Sequence, residues 1–144
     1  MFKHILFPID GSQASTRAVE KGAALATALG ADVTLMTAVE QFPGGVSAGV
    51  YQAEHNPMHK AARDAGLHWL AAAQVILDAH GIQAKQLVME NRGVYQSILA
   101  AAEVSGADVI VMASHGAGAL ERLLLGSHTL RVLAHASIPV VVLR

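Results

Sequence analysis

The sequence contains no cysteine, which excludes disulfides, thiol catalysis and zinc sites built on cysteine. It also carries little net charge, because ten basic and eleven acidic residues give −1 at pH 7 with histidine neutral. No strong basic field is therefore available to attract nucleic acid or an acidic membrane surface. No uncharged apolar stretch reaches the roughly 18 residues that a membrane-spanning helix needs.

Targeting signals and two nucleotide-binding motifs are also missing. The first residues form a short apolar run that Asp10 interrupts, without the longer apolar region and cleavage pattern of a signal peptide. We therefore expect a cytoplasmic protein that binds neither nucleic acid nor membranes. The sequence lacks Gly-x-x-x-x-Gly-Lys-Ser/Thr, and it lacks Gly-x-Gly-x-x-Gly after the first predicted strand. These absences argue against a P-loop and against a dinucleotide site.

What the sequence has is apolar material in short runs alternating with helical periodicity. Apolar residues make up 53% of the 144 positions, and the length suits one domain covering residues 1–144. The pattern predicts strands at residues 5–9, 33–39, 84–90, 108–113 and 138–143. It predicts helices at residues 13–29, 57–80, 94–104 and 127–135. Of these elements, the strand at 84–90 has the least regular pattern.

This alternation predicts the α/β class, with a five-stranded parallel sheet, doubly wound, and helices on both faces. In the strand order 3-2-1-4-5, strands one and four are neighbours at the switch point. Ligands bind such sheets beyond the carboxyl ends of the strands, where the order reverses. Two turn clusters fall at those ends: residues 8–12, and residues 113–116 continuing to 126–129.

The second cluster has properties that suit an anion. Gly116 and Gly126 allow backbone N–H groups to approach a ligand closely. Ser127 opens the last predicted helix, whose first N–H groups and dipole favour negative charge, and Thr129 adds a hydroxyl. The alternative is that the glycines only turn the chain and Ser127 only caps a helix.

The chain contains, in order, Asp10-Gly11-Ser12, Ser114-His115-Gly116, nine further residues, Gly126-Ser127 and a closing Pro139-Val140-Val141-Val142. This series resembles the universal stress protein family along essentially the whole chain. The resemblance implies a five-stranded parallel sheet and a dimer formed through the last strand, residues 138–143. It also implies, for a subset of members, binding of ATP or another adenine nucleotide through the motif Gly-two-Gly-nine-Gly-Ser/Thr.

Carried over by position, the resemblance assigns phosphate contacts to Gly116, Gly126 and Ser127, a ribose contact to Asp10, and recognition of adenine by the backbone to Ala38. Ala113 replaces the first glycine of the motif, and we expect tolerance or a modest weakening of binding. The candidate nucleotide-binding residues are Pro8, Asp10, Ala38, Met112, Ala113, His115, Gly116, Gly126, Ser127, His128 and Thr129.

The resulting hypothesis is a dimeric stress-response module regulated by ATP or AMP, with or without Mg²⁺. Fast hydrolysis is not expected, because it needs a metal ion or a Lys or Arg side chain at the leaving phosphate. The cations near the loop are Arg122 and Arg131, and no sequence pattern directs either side chain to a phosphate. A weak ATPase and a dimeric interaction scaffold without ligand are the alternatives. Residues 41–56 are predicted to form a mobile loop. His55 and His59 have the spacing of a helical metal site, but a surface role is favoured.

Overall fold

The computed structural model describes residues 1–40, 56–90, 92–116 and 124–144. Its strands are β1 (His4–Pro8), β2 (Asp32–Val39), β3 (Lys85–Glu90), β4 (Val109–Ala113) and β5 (Val140–Leu143). Its helices are α1 (Gln13–Leu29), α2 (Pro57–Asp78), α3 (Val94–Ser105) and α4 (Ser127–His135). Every predicted element is present and of the predicted type, with ends that differ by one or two residues.

The five strands form one parallel sheet in the order β3-β2-β1-β4-β5, which confirms the predicted topology. Central β1 pairs with β2 on one side and β4 on the other. The chain therefore reverses its direction of winding between β1 and β4. Their carboxyl ends lie side by side, and this is where a ligand crevice is expected.

The side chains of each strand alternate between two apolar layers. Ile5, Phe7 and Ile9 belong to a core that packs against α1 and α2, whereas Leu6 belongs to the core beneath α3 and α4. Burying each of these large side chains stabilises the fold by about 1.5–3 kcal/mol. Helices therefore cover both faces of the sheet, as predicted.

Helix α1 packs closely against β1. The start of the helix lies beside the carboxyl end of that strand. A Cβ atom added at Gly22 would lie 2.3 Å from the Phe7 ring, so only glycine permits this approach. Ser12 caps the helix, because its hydroxyl oxygen accepts from the Ser15 N–H at 3.1 Å. Gly30 ends the helix in a left-handed conformation, as the sequence predicts.

The opposite ends of β1 and β4 are tied by Asp108. Its carboxylate accepts from the backbone N–H groups of Lys3 at 2.8 Å and His4 at 3.1 Å. The bond from Lys3 is the main reason why the pKa of Asp108 lies below its ordinary value, with the bond from His4 adding to it. This contact holds the two central strands in register.

Two shifts of element ends have simple causes. Helix α2 ends at Asp78 rather than His80, because tight turns form there: His80 N–H donates to the Leu77 carbonyl and Gly81 N–H to the Asp78 carbonyl. Strand β5 begins at Val140 rather than Ile138, since Pro139 can offer β4 only its carbonyl.

None of the helices in the described ranges has both the length and the apolar character to cross a membrane.

Three sequence predictions fall outside the described residues. They concern the loop at 41–56, of which only Asn56 is described, the partner His55 of the histidine pair, and Arg122. Asn56 caps α2 by accepting from the Met58 N–H at 2.9 Å.

Candidate functional site

A crevice of about 520 Å³ opens where β1, β2 and β4 end. Its volume falls within the roughly 300–1,000 Å³ typical of small-molecule sites. All eleven residues predicted from the sequence line it. The sequence did not single out the others that line it, which are Ile9, Ser15, Met36, Val39, Glu40, Ala62, Trp69, Val94 and Ile98.

The turn after β1 orients Asp10. One carboxylate oxygen, Oδ1, accepts from the Ser12 N–H at 3.0 Å and from the Ser12 hydroxyl at 2.6 Å. The other oxygen, Oδ2, lies against the loop after β4, where a Cβ atom added at Gly116 would be only 2.5 Å away. The two loops named by the sequence therefore touch, and Gly116 is a residue whose missing side chain lets them do so.

The start of α4 is held against the end of β4 by Gly126. Its N–H donates to the Ser114 carbonyl at 2.8 Å, and a Cβ atom there would lie 3.1 Å from the His115 Cα. Gly126 is the N-cap residue, and no side-chain hydrogen bond caps this helix within the described residues. The positive end of the helix dipole therefore lies at the crevice, beside backbone N–H groups that the helix itself does not use.

This geometry corrects one alternative from the sequence, in which Ser127 only caps the helix. Gly126 occupies the cap position, and Ser127 is the first helical residue, exposed and lining the crevice. His128 follows it, also exposed at the crevice. Ser127 therefore has its hydroxyl available at the mouth of the site.

Thr129 has a different role from the hydroxyl donor that the sequence indicated. Its side chain is buried, with 2% of the residue exposed, and Oγ1 donates to the Ala113 carbonyl at 3.1 Å. The hydroxyl hydrogen is thus already used in fastening α4 to the end of β4. Thr129 lines the crevice as a structural anchor.

Ala113 is the position where the resemblance predicts glycine, and its surroundings explain why a methyl group fits. Ala113 is buried and clusters with Ala14 and Ala18 of α1, against Leu143. The methyl group therefore contributes to the packing of α1 on the sheet. This packing offers no support for the expected steric weakening of binding.

His115 is half-buried at the crevice and is oriented by its neighbour. Its Nδ1 lies 3.0 Å from the hydroxyl oxygen of Ser114, a residue that is itself buried. Because Nδ1 is engaged in this bond, Nε2 is the ring nitrogen left to meet a ligand.

Trp69 is the main residue that sequence reasoning missed. In the sequence Trp69 lies apart from the other aromatic residues, so no aromatic cluster marks it as part of a site. Trp69 lies near the middle of α2, a helix that starts after the carboxyl end of β2 and runs back along the sheet. This placement was the signal that could have indicated a position at the crevice.

Carboxylates at the crevice come from Asp10 and Glu40. Among the described residues, no three His, Asp or Glu side chains are grouped closely enough to hold a metal ion. His59 Nε2 lies 3.5 Å from Oε1 of Glu90, which also pairs with Arg63, so the described half of the histidine pair contacts a carboxylate.

These features define an open, doubly wound α/β domain with a ligand crevice at its switch point. A family model, described as the universal stress protein family, matches residues 1–144. The chain therefore belongs to the universal stress protein family. A universal stress protein of Thermus aquaticus is 31% identical over 144 residues, which is the full length of both chains.

Solved structures agree with this placement. A protein of Methanocaldococcus jannaschii superposes with a TM-score of 0.81 at 26% identity, covering 99% of this chain and 96% of that one. A universal stress protein solved in complex with cAMP has a TM-score of 0.73 at 21% identity, covering 99% and 97%.

Proposed function

We propose that this chain binds an adenine nucleotide, ATP or AMP, in the crevice and acts as a regulatory module in the stress response. One observation carries the proposal. The glycine-capped start of α4 opens onto the same crevice as Asp10, which lies against Gly116. The start of α4, which favours an anion, and the Asp10 carboxylate, which can accept from hydroxyl groups, thus lie within one cavity of the size of a small ligand.

The phosphate end of the ligand would lie on Gly116, Gly126 and Ser127. Side chains at the two glycines would fill the space between the loops, and their absence leaves the backbone open to phosphate oxygens. A helix N-terminus contributes about 0.3–1 kcal/mol per charge at an exposed site, so several donors must act together. The Ser127 hydroxyl and His115 are such additional donors.

The nucleoside end would lie toward the end of β2. Apart from Glu40, the lining there is apolar, with Met36, Ala38 and Val39, and Met112 is contributed by β4. Such a surface suits an adenine ring, whose edge the backbone near Ala38 would recognise. A carboxylate such as Asp10 is a suitable acceptor for ribose hydroxyls. The cAMP complex of a related protein supports adenine as the base to test first.

The chemistry of the crevice favours binding over hydrolysis. No Lys or Arg occurs among the described residues that line it. Arg131, one of the two candidate cations, has its guanidinium carbon 5.6 Å from the centre of the Tyr95 ring. Fast phosphoryl transfer needs cations or a metal ion at the leaving phosphate. Any Mg²⁺ would be held mainly by phosphate oxygens and water, the usual arrangement for this ion.

Calorimetric titration of nucleotide-stripped protein with ATP and AMP, with and without Mg²⁺, tests the proposal. We expect dissociation constants below the millimolar range. Gly126→Ala adds a methyl against the His115 backbone and should weaken binding by about tenfold, the equivalent of 1.4 kcal/mol. Absence of sub-millimolar affinity for any adenine nucleotide would contradict the proposal.

Gly81→Ala is the matched control for Gly126→Ala. Gly81 lies beyond the end of α2 with a φ of 70° and open space around its Cα. Its substitution strains the backbone without approaching the crevice. We expect lower stability and unchanged affinity. Equal loss of affinity in both variants would indicate a general effect of destabilisation.

The second candidate function is a dimeric interaction scaffold. The observation that favours it is the position of β5, which among the described strands pairs with β4 alone and lies at the edge of the sheet with half-buried valines. Such an edge suits pairing with a second copy of the chain. If replacing both Gly126 and Ser127 left partner binding and cellular phenotype unchanged, the scaffold function would be the better description.

A further inference from the structure

The indole of Trp69 covers the turn that carries Asp10. A Cβ atom added at Gly11 would lie 2.4 Å from Cε2, 2.5 Å from Nε1 and 2.8 Å from Cδ2 of Trp69. These three atoms are consecutive members of the five-membered ring, so Gly11 lies over the face of the indole. Trp69 also lines the crevice.

The turn is also bounded on its other side. Gly11 adopts a φ of 78°, a left-handed conformation that favours glycine. Directly before it, Asp10 has Oδ1 bonded to Ser12 and Oδ2 against Gly116. The turn is thus held between Trp69 on one side and the loop after β4 on the other.

A glycine turn without such support has wide conformational freedom, since glycine populates positive and negative φ about equally. The polar contacts of Asp10 with Ser12 are local and would move together with the turn. The Trp69 contact is long-range and comes from a different helix. Together with the contact of Asp10 against Gly116, it can fix the turn relative to the rest of the crevice.

We propose that Trp69 is a positioning residue that holds Asp10 where it meets the ribose hydroxyls, and so sets the preference for ribonucleotides over nucleotides that lack those hydroxyls. This inference rests on the proposed nucleotide site. It adds that discrimination at the sugar depends on an aromatic side chain in α2.

The test compares the affinities for ATP and for 2′,3′-dideoxy-ATP. The wild-type protein should prefer ATP by about tenfold or more, because a hydrogen bond to a charged group is stronger than one between neutral groups. Asp10→Asn removes the charge and should reduce the preference to about threefold or less. Trp69→Leu should reduce it to the same extent although Asp10 is intact, and Trp69→Phe should keep most of it.

Leu67→Ala is the control on the same helix, since Leu67 is 42% exposed and does not line the crevice. It should leave the preference unchanged. If Trp69 only packed against the base, Trp69→Leu would weaken the binding of both ligands equally and leave the ratio of their affinities unchanged. That result would overturn the inference. A wild-type protein that binds neither ligand would overturn the proposed function and this inference with it.

A measurement without nucleotide keeps the inference testable where Trp69→Leu does not fold. Gly11 Hα protons above the indole face should resonate upfield in the wild-type protein, through the ring current. Trp69→Phe should retain part of that displacement. Unshifted Gly11 resonances in the wild-type protein would contradict the contact itself.

Discussion

At the scale of single residues, Ala113 shows how one methyl group can belong to the core although its backbone belongs to the site. Its carbonyl accepts from Thr129, and its methyl packs with Ala14 and Ala18. Replacing Ala113 with glycine would remove buried apolar contact and add backbone freedom. It would open little space for a ligand.

Ala113→Gly should therefore destabilise the fold by about 1–2 kcal/mol, combining roughly 0.8 kcal/mol for the methyl group with 0.5–1 kcal/mol for glycine in a strand. Affinity for ATP should stay within about twofold of the wild type. Chemical denaturation and calorimetry measure the two effects. A tenfold gain in affinity would show that the methyl group obstructs the ligand.

The sequence predicts those crevice residues that are identified by their position along the chain. Gly116 and Gly126 follow from strand ends and motif spacing. The role of Thr129 did not follow, because a hydroxyl near a site can equally bond a ligand or a backbone carbonyl. Trp69 was missed because its contact with Gly11 joins residues 58 positions apart, and no local pattern records such a contact.

At the scale of elements, the strands and helices were predictable because apolar runs and helical periodicity agree with turn residues along the whole chain. Their ends were less so, since a proline or a tight turn shifts them by one or two residues. Tertiary contacts such as that of Asp108, which joins the starts of β1 and β4, have no sequence pattern of their own.

Asp108→Asn tests that contact through its pH dependence. The pKa of Asp108 is lowered in the folded protein, so the unfolded chain binds its proton first as the pH falls. The stabilisation is complete above the ordinary pKa of 3.8 and is lost as the pH falls through the lower value of the folded state. We expect the variant to be less stable at pH 7 and to lose less stability below about pH 4.

Denaturant unfolding at a series of pH values measures this difference. Asp32→Asn is the comparison variant, because it makes the same change of charge at an exposed carboxylate at the start of β2. Parallel curves for Asp108→Asn and the wild type would show that the contact contributes nothing.

At the scale of the whole molecule, β5 is the edge through which a dimer would form. The carbonyls of Pro139 and Leu143 accept from Ile110 and Ser114 in and after β4. Because consecutive residues of a parallel strand bond to opposite sides, Val140 and Val142 direct their backbone groups to the open edge. These outward groups are the ones a second chain would bond.

Val142→Pro should abolish the dimer and leave the protomer folded, because proline is tolerated where the strand N–H faces outward. Val141→Pro is the matched variant and should destabilise the protomer, because it removes an N–H directed to β4. Sedimentation at micromolar concentration gives the mass, and circular dichroism gives the fold. A wild-type protein that sediments only as a monomer would exclude this dimer.

The crevice takes its walls from both layers of helices, with Ala62 and Trp69 from α2 below the sheet and Val94 and Ile98 from α3 above it. The strands of the sheet lie between the two layers. A ligand in the crevice would contact both layers of helices and would therefore couple their opening motions. Hydrogen exchange in α2 and α3 should then slow together on binding, turning two separately opening units into one.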